Sequence, residues 1–177
     1  MANEKIISII VKVIIIWGGA IVSIAFHEIG HLAGYKICTK SAKWNIVIGT
    51  GRRFISVKKM QIHLIPLLGF FCISDDSFPK RKRDDILTTI GGPVFSLVLL
   101  FILQLLVMTF RGNNSGLSIY TYEEAATFLR NYNIYLILFS VIPMKYPPFL
   151  VRGKIDTSDG LQLLNALLKK GTFSGEG

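Results

Sequence analysis

The sequence predicts an α-helical integral membrane protein with about three core transmembrane helices and a small membrane-associated β-hairpin or sheet. Residues Ile86 to Phe110 form an apolar run with no charged side chain, and Ile6 to Phe26 form another interrupted only by Lys12. A bilayer core needs about 20 such residues in helical form. Hydrophobic residues make up 51% of the 177, above the roughly 45–50% of ordinary soluble domains. Between the two runs, β-branched and aromatic residues flank Gly49-Thr50-Gly51, the composition of strands around a turn.

The first run outlasts the 7–15-residue apolar core of a secretory signal and has no convincing small-residue cleavage site, so it reads as a retained span. Lys43 to Ile48 and Arg52 to Val57 read as a hairpin whose glycines supply the turn dihedrals. Met60 to Ile65 reads as an added strand ended by Pro66. Leu64 to Ile73 is too short to span and contains Pro66 and Gly69, so it is expected at the interface or against the helices. Ser74 to Asp85 is a charged connection, and Gly112 to Gly116 reads as a polar turn after the second span. Asn131 to Met144, charge-free but short, is the third span. A last helix over Ser158 to Lys170 has Ser and Asp at its start, two lysines near its end and Gly171 beyond. Residues 1–170 therefore read as one domain, with 171–177 as a flexible tail. Cys38 and Cys72 are too few for a disulfide framework and read as reduced and buried.

The formal net charge of +9 comes from basic residues that adjoin the apolar runs, which points to lipid headgroups and not to nucleic acid. The connection 36–83 is dense in Lys and Arg, whereas the segment after Phe110 sets Arg111 and Arg130 against Glu123 and Glu124. Positively charged loops resist translocation, so 36–83 is expected in the cytoplasm, with the N-terminus outside and the C-terminus inside if each of three spans crosses once.

The chemistry-bearing motif is His27-Glu28-Ile29-Gly30-His31. On a helix, histidines four residues apart project from one face and can grip one Zn²⁺, while Glu28 lies beside that face, within reach of a water. Ionisable groups at the end of an apolar helix are costly and point to function. Zinc needs a third protein ligand. Gly34 extends the motif, but Ile37 stands where a metzincin places its third histidine, and no glutamate occurs between Glu28 and Glu123. His63, Asp75, Asp76, Asp156 and Asp159 remain; Asp159, before Gly160 and at the start of an apolar helix after a proline-rich break, is best placed. Asp156 and Asp159 also suit helix caps, and Gly91-Gly92-Pro93 suits a helix start or close packing between helices.

With Gly91-Gly92-Pro93-Val94-Phe95-Ser96 in the second core helix and Asp159-Gly160 after the third, the chain resembles the site-2 protease family of intramembrane zinc metalloproteases over almost its whole length. The resemblance implies Zn²⁺ held by His27, His31 and Asp159, Glu28 as catalytic base, and substrate contact through Gly92, Pro93 and Ser96. Ser96 stands where the family often has asparagine, and Pro143, Pro147 and Pro148 lie upstream of Asp159 where the family has proline just before Asp-Gly. The insertion Met144 to Ser158 therefore keeps Asp156 open as the alternative third ligand. The implied substrate is a small membrane peptide or single-pass membrane protein within the lipid bilayer, held as an unwound strand against the Trp44 to Val57 hairpin. Other readings are a membrane metal-binding or transport protein, which has no need of Glu28, a catalytically inactive peptide-binding relative, and a membrane-tethered zincin of soluble type, which lacks its third ligand.

Overall fold

The computed structural model describes residues 2–74, 78–79, 81–112, 117–147 and 156–168. In chain order these are α1 (Ala2–Cys38), β1 (Trp44–Val57), β2 (Met60–Ile73), α2 (Lys82–Gly112), α3 (Leu117–Val141) and α4 (Asp159–Leu168). Asp75, Asp76, the centre of the polar turn after α2 and the tail lie outside the described residues.

The apolar runs become helices, as their length and composition require. Two of them, within Lys5–Cys38 and Lys82–Arg111, are long and apolar enough to cross a membrane. The third expected span is only the C-terminal part of α3, a 25-residue helix whose first half carries Glu123 and Glu124 and whose middle carries Arg130. These charges fit because they are partnered: Lys12 of α1 reaches Glu124 at 2.5 Å, and Arg111 of α2 reaches Glu123 at 2.9 Å. Among the described residues, the count of about three spans therefore narrows to two helices of spanning composition and a third with a charged first half. α1 and α2 pack with backbones almost touching, since a Cβ on Gly30 would collide with the Gly91 carbonyl and one on Gly91 with the Gly30 carbonyl. Only glycine at both positions permits that approach.

The sheet differs from the expected hairpin. β1 is one strand that bends at Gly49 and Gly51, where φ is +81° and +84°, and the tight turn falls at Lys58-Lys59. Its two flanks do not pair with each other. Trp44 to Ile48 lie opposite Ile73 to Gly69, while Val57 to Arg53 lie opposite Met60 to His63. Ile46 to Ile48 also face Met60 to Ile62, and the Ile46 amide donates to the Lys59 carbonyl at 2.8 Å. Segment 46–48 is thus flanked on both sides, leaving 53–57 and 69–73 as the edges. β2 continues through Pro66 because the register jumps from Thr50 opposite Ile65 to Ile48 opposite Gly69; a proline in that irregular stretch removes no ladder bond. The bend is tied to the helices by Trp17 Nε1–H donating to the Leu64 carbonyl at 2.8 Å and by the Tyr132 hydroxyl donating to the Pro66 carbonyl at 2.6 Å. Ile24, Ile46, Ile48 and Leu136 form the core between helices and sheet. Cys38 and Cys72 are both free thiols of intermediate burial.

Candidate metal centre and active site

His27 and His31 lie on the face of α1 that packs toward α2 and β2, and both are buried. The Nδ1 atom of each is already engaged. His31 Nδ1 lies 2.8 Å from the Thr88 carbonyl, which can only accept, so Nδ1 carries the proton and Nε2 keeps a lone pair. His27 Nδ1 lies 2.8 Å from Ser96 Oγ, a partner that supports the same tautomer. Both Nε2 atoms point into one space, 3.2 Å apart.

α4 brings the third group. Its N-cap is Ser158, whose carbonyl accepts the Gln162 amide at 3.0 Å and whose Oγ accepts the Leu161 amide at 3.2 Å. The capping task being taken by Ser158, the Asp159 carboxylate turns inward: Oδ2 lies 3.1 Å from His27 Nε2 and 3.4 Å from His31 Nε2, and accepts from Ser140 Oγ at 2.5 Å. A short antiparallel ladder fixes this register. Lys145 bridges Thr157, the Tyr146 amide donates to the Asp156 carbonyl at 2.7 Å, and the Ser158 amide donates to the Met144 carbonyl at 3.0 Å. Asp156 is spent in the ladder as a backbone acceptor, with its residue exposed.

The geometry tests directly whether a zinc ion fits. Tetrahedral ligands at about 2.0–2.1 Å from the ion stand roughly 3.3–3.4 Å from one another. The three atoms here are separated by 3.1, 3.2 and 3.4 Å, and among the described residues they form a group able to hold a metal. Gly92 completes the cradle, because a Cβ there would overlap Nε2 of both histidines. Glu28 is buried beside them, against Gly69, where a Cβ would overlap its carboxylate. His27, Glu28, His31 and Asp159 share a cavity of about 150 Å³ with Phe71 and Tyr146.

Other expected residues fall elsewhere. His63 lies in the sheet, its Nδ1 2.9 Å from the Gly51 carbonyl. Ser96 is fully buried, with its Oγ placed to orient the His27 imidazole. Asn133 braces it by donating to the Ser96 carbonyl at 2.7 Å. Pro93 lies in α2 and lines an apolar cleft of about 260 Å³ with Ile90, Val141, Leu163 and Asp159. Thr88, Ser140 and Tyr146 escaped the sequence reading. Burial first, and then the charges of Asp159 and Glu28, push the Tyr146 phenol above its ordinary value, so it keeps its proton.

Comparison with curated proteins and with solved structures gives no match. Residues 15–173, however, match the pattern of peptidase family M50. A helix-borne His-Glu-x-x-His, an aspartate returned from the far end of the chain and a match over most of the sequence agree, and the chain belongs to peptidase family M50, the site-2 protease family of membrane-embedded zinc metalloproteases.

Proposed function

We propose that this protein hydrolyses peptide bonds of a small membrane peptide or single-pass membrane protein, with His27, His31 and Asp159 holding Zn²⁺ and Glu28 as the base. The observation that carries the reading is the convergence of three ligand atoms, at zinc-like separations, beside a buried carboxylate. When bound, zinc would supply the Lewis acidity that brings the pKa of water to ~7. The rest falls to the chain. Ser96 and the Thr88 carbonyl hold the imidazoles in the tautomer that presents Nε2, and Ser140 holds the carboxylate of Asp159. Glu28 accepts a proton from the attacking water and returns it to the leaving amine. A transport protein has no use for that carboxylate.

A helical substrate hides its carbonyls in its own hydrogen bonds and must unwind before attack. The strand that lines the cavity is the β2 edge, through Gly69, Phe70, Phe71 and Ile73, and no residue of β1 does so. We therefore move the proposed strand-addition site from β1 to Gly69–Ile73, where main-chain pairing would lay the substrate across the metal site. Pro93 and its apolar cleft are the proposed contact for a flanking hydrophobic side chain. Residues 1–170 act in this reading as one multi-pass domain with the basic connection 36–83 in the cytoplasm.

Glu28→Gln should abolish cleavage of single-span peptides by the detergent-purified protein while leaving its zinc content unchanged. Near-normal proteolysis by that variant would show that Glu28 is not the base.

A further inference from the structure

Hydrolysis of an amide places negative charge on the carbonyl oxygen, and active sites stabilise it with donors aimed where the charge develops. The groups assigned so far leave part of that task open. Glu28 is an acceptor when it takes the proton, and both imidazole N–H groups point away from the cavity at Ser96 and Thr88. Thr88, Thr89, Thr157 and Gln162 also line this cavity; the Thr88 hydroxyl is sealed from solvent, and the Gln162 amide is bonded to the Thr157 carbonyl at 3.1 Å.

Tyr146 differs. It lines the main cavity together with His27, Glu28 and Asp159, and also the small adjoining cavity of about 30 Å³ that reaches Ser140 and Leu68. Its hydroxyl lies 3.4 Å from the Phe139 carbonyl, too long to commit the proton, since O–H···O bonds cluster near 2.7–2.8 Å. The ladder that sets Asp159 also sets this ring: the Tyr146 amide holds the Asp156 carbonyl, and the next rungs lead to Ser158 and the start of α4.

We propose that Tyr146 is a further catalytic residue of this site, its phenol O–H donating a hydrogen bond to the scissile carbonyl oxygen as that oxygen becomes negative. The inference rests on the hydrolase reading above. In the step, water oxygen bonds to the carbonyl carbon, the C=O π pair moves onto oxygen, and the water proton goes to Glu28. Tyr146 keeps its proton throughout. On collapse the C=O re-forms, the C–N bond breaks, and the amine nitrogen takes the proton from Glu28. The products are a carboxylic acid and an amine.

The test uses the full-length zinc-loaded protein in detergent with a single-span peptide and a phosphinic peptide that mimics the tetrahedral state. Tyr146→Phe keeps the ring and removes only the donor. It should lower kcat by about 10²-fold, leave KM and zinc content unchanged, and weaken the phosphinic peptide by the same factor as kcat/KM. Replacing Tyr146 by 3-fluorotyrosine, which retains shape but ionises more readily, should move the alkaline limb of the kcat profile to lower pH. Wild-type kcat in Tyr146→Phe, a change confined to KM, or loss of zinc would overturn the proposal. The parent reading fails separately: proteolysis surviving in Glu28→Gln, or a wild-type protein that takes up no zinc, would sink both.

Discussion

Asp159 donates no cap to its own helix, and that release is what leaves its carboxylate facing two imidazoles. Asp159→Asn should therefore strip zinc from the purified protein and abolish activity, whereas Asp156→Asn, whose backbone alone enters the ladder, should keep both. Metal analysis of the two variants decides between them, and loss of zinc from the Asp156 variant would mean the ladder register differs in solution. The histidines and Glu28 were legible in the sequence because their geometry is local: a four-residue step on a helix returns to the same face. The choice of aspartate was less so, because the insertion Met144 to Ser158 hides the offset and only the pairing of its ends reveals it. Thr88, Ser140 and Tyr146 gave no signal at all. They are ordinary residue types: Ser140 and Thr88 are made relevant by contacts 19 and 57 positions away in sequence, to Asp159 and His31, and Tyr146 by the cavity it shares with the histidines. Ser96 was noticed for its motif and read as a substrate contact; what its motif does not display is that its Oγ lies 2.8 Å from His27 Nδ1.

At the scale of elements, apolar run length located α1 and α2, since a stretch that avoids charge for a bilayer's thickness has few other uses. The third span was placed on the charge-free run from Asn131, whereas α3 begins at Leu117; the partners of Glu124 and Glu123 on α1 and α2 show how the helix carries them. In the sheet, Gly49-Thr50-Gly51 was rightly a place of positive φ, yet positive φ marks a bend as well as a hairpin, and the partner strand decides which. The junction between α3 and α4 concentrates several duties on one hydroxyl. Ser158 Oγ accepts from the Met144 amide at 3.0 Å and the Leu161 amide at 3.2 Å, and donates to the Ile142 carbonyl at 2.7 Å. Ser158→Ala should cost about 1–2 kcal/mol, read as a lower Tm in detergent, and should loosen zinc retention against a chelator, since the same hydroxyl joins the ladder to the helix that carries Asp159. An unchanged Tm together with unchanged zinc retention would show that the other rungs suffice.

For the molecule as a whole, the proposed orientation is the property most open to a direct check. Lys58→Cys and Asn114→Cys, each in a background lacking Cys38 and Cys72, should differ in intact cells treated with a membrane-impermeant thiol reagent: labelling at 114 and none at 58. The reverse pattern would overturn the cytoplasmic placement of 36–83. The arrangement of the ligand atoms also has a temporal side. His31 and Asp159 are separated by most of the chain, and no other carboxylate among the described residues joins the histidines. At about 5–20 residues per second, a ribosome needs on the order of ten seconds to pass from the histidines to the aspartate. Throughout that interval the nascent protein carries Glu28 and the two histidines without the aspartate that completes the cluster. On the proposed function, hydrolytic capacity would be withheld until α4 has emerged and docked, and a half-made copy would not cut its neighbours at the site of synthesis.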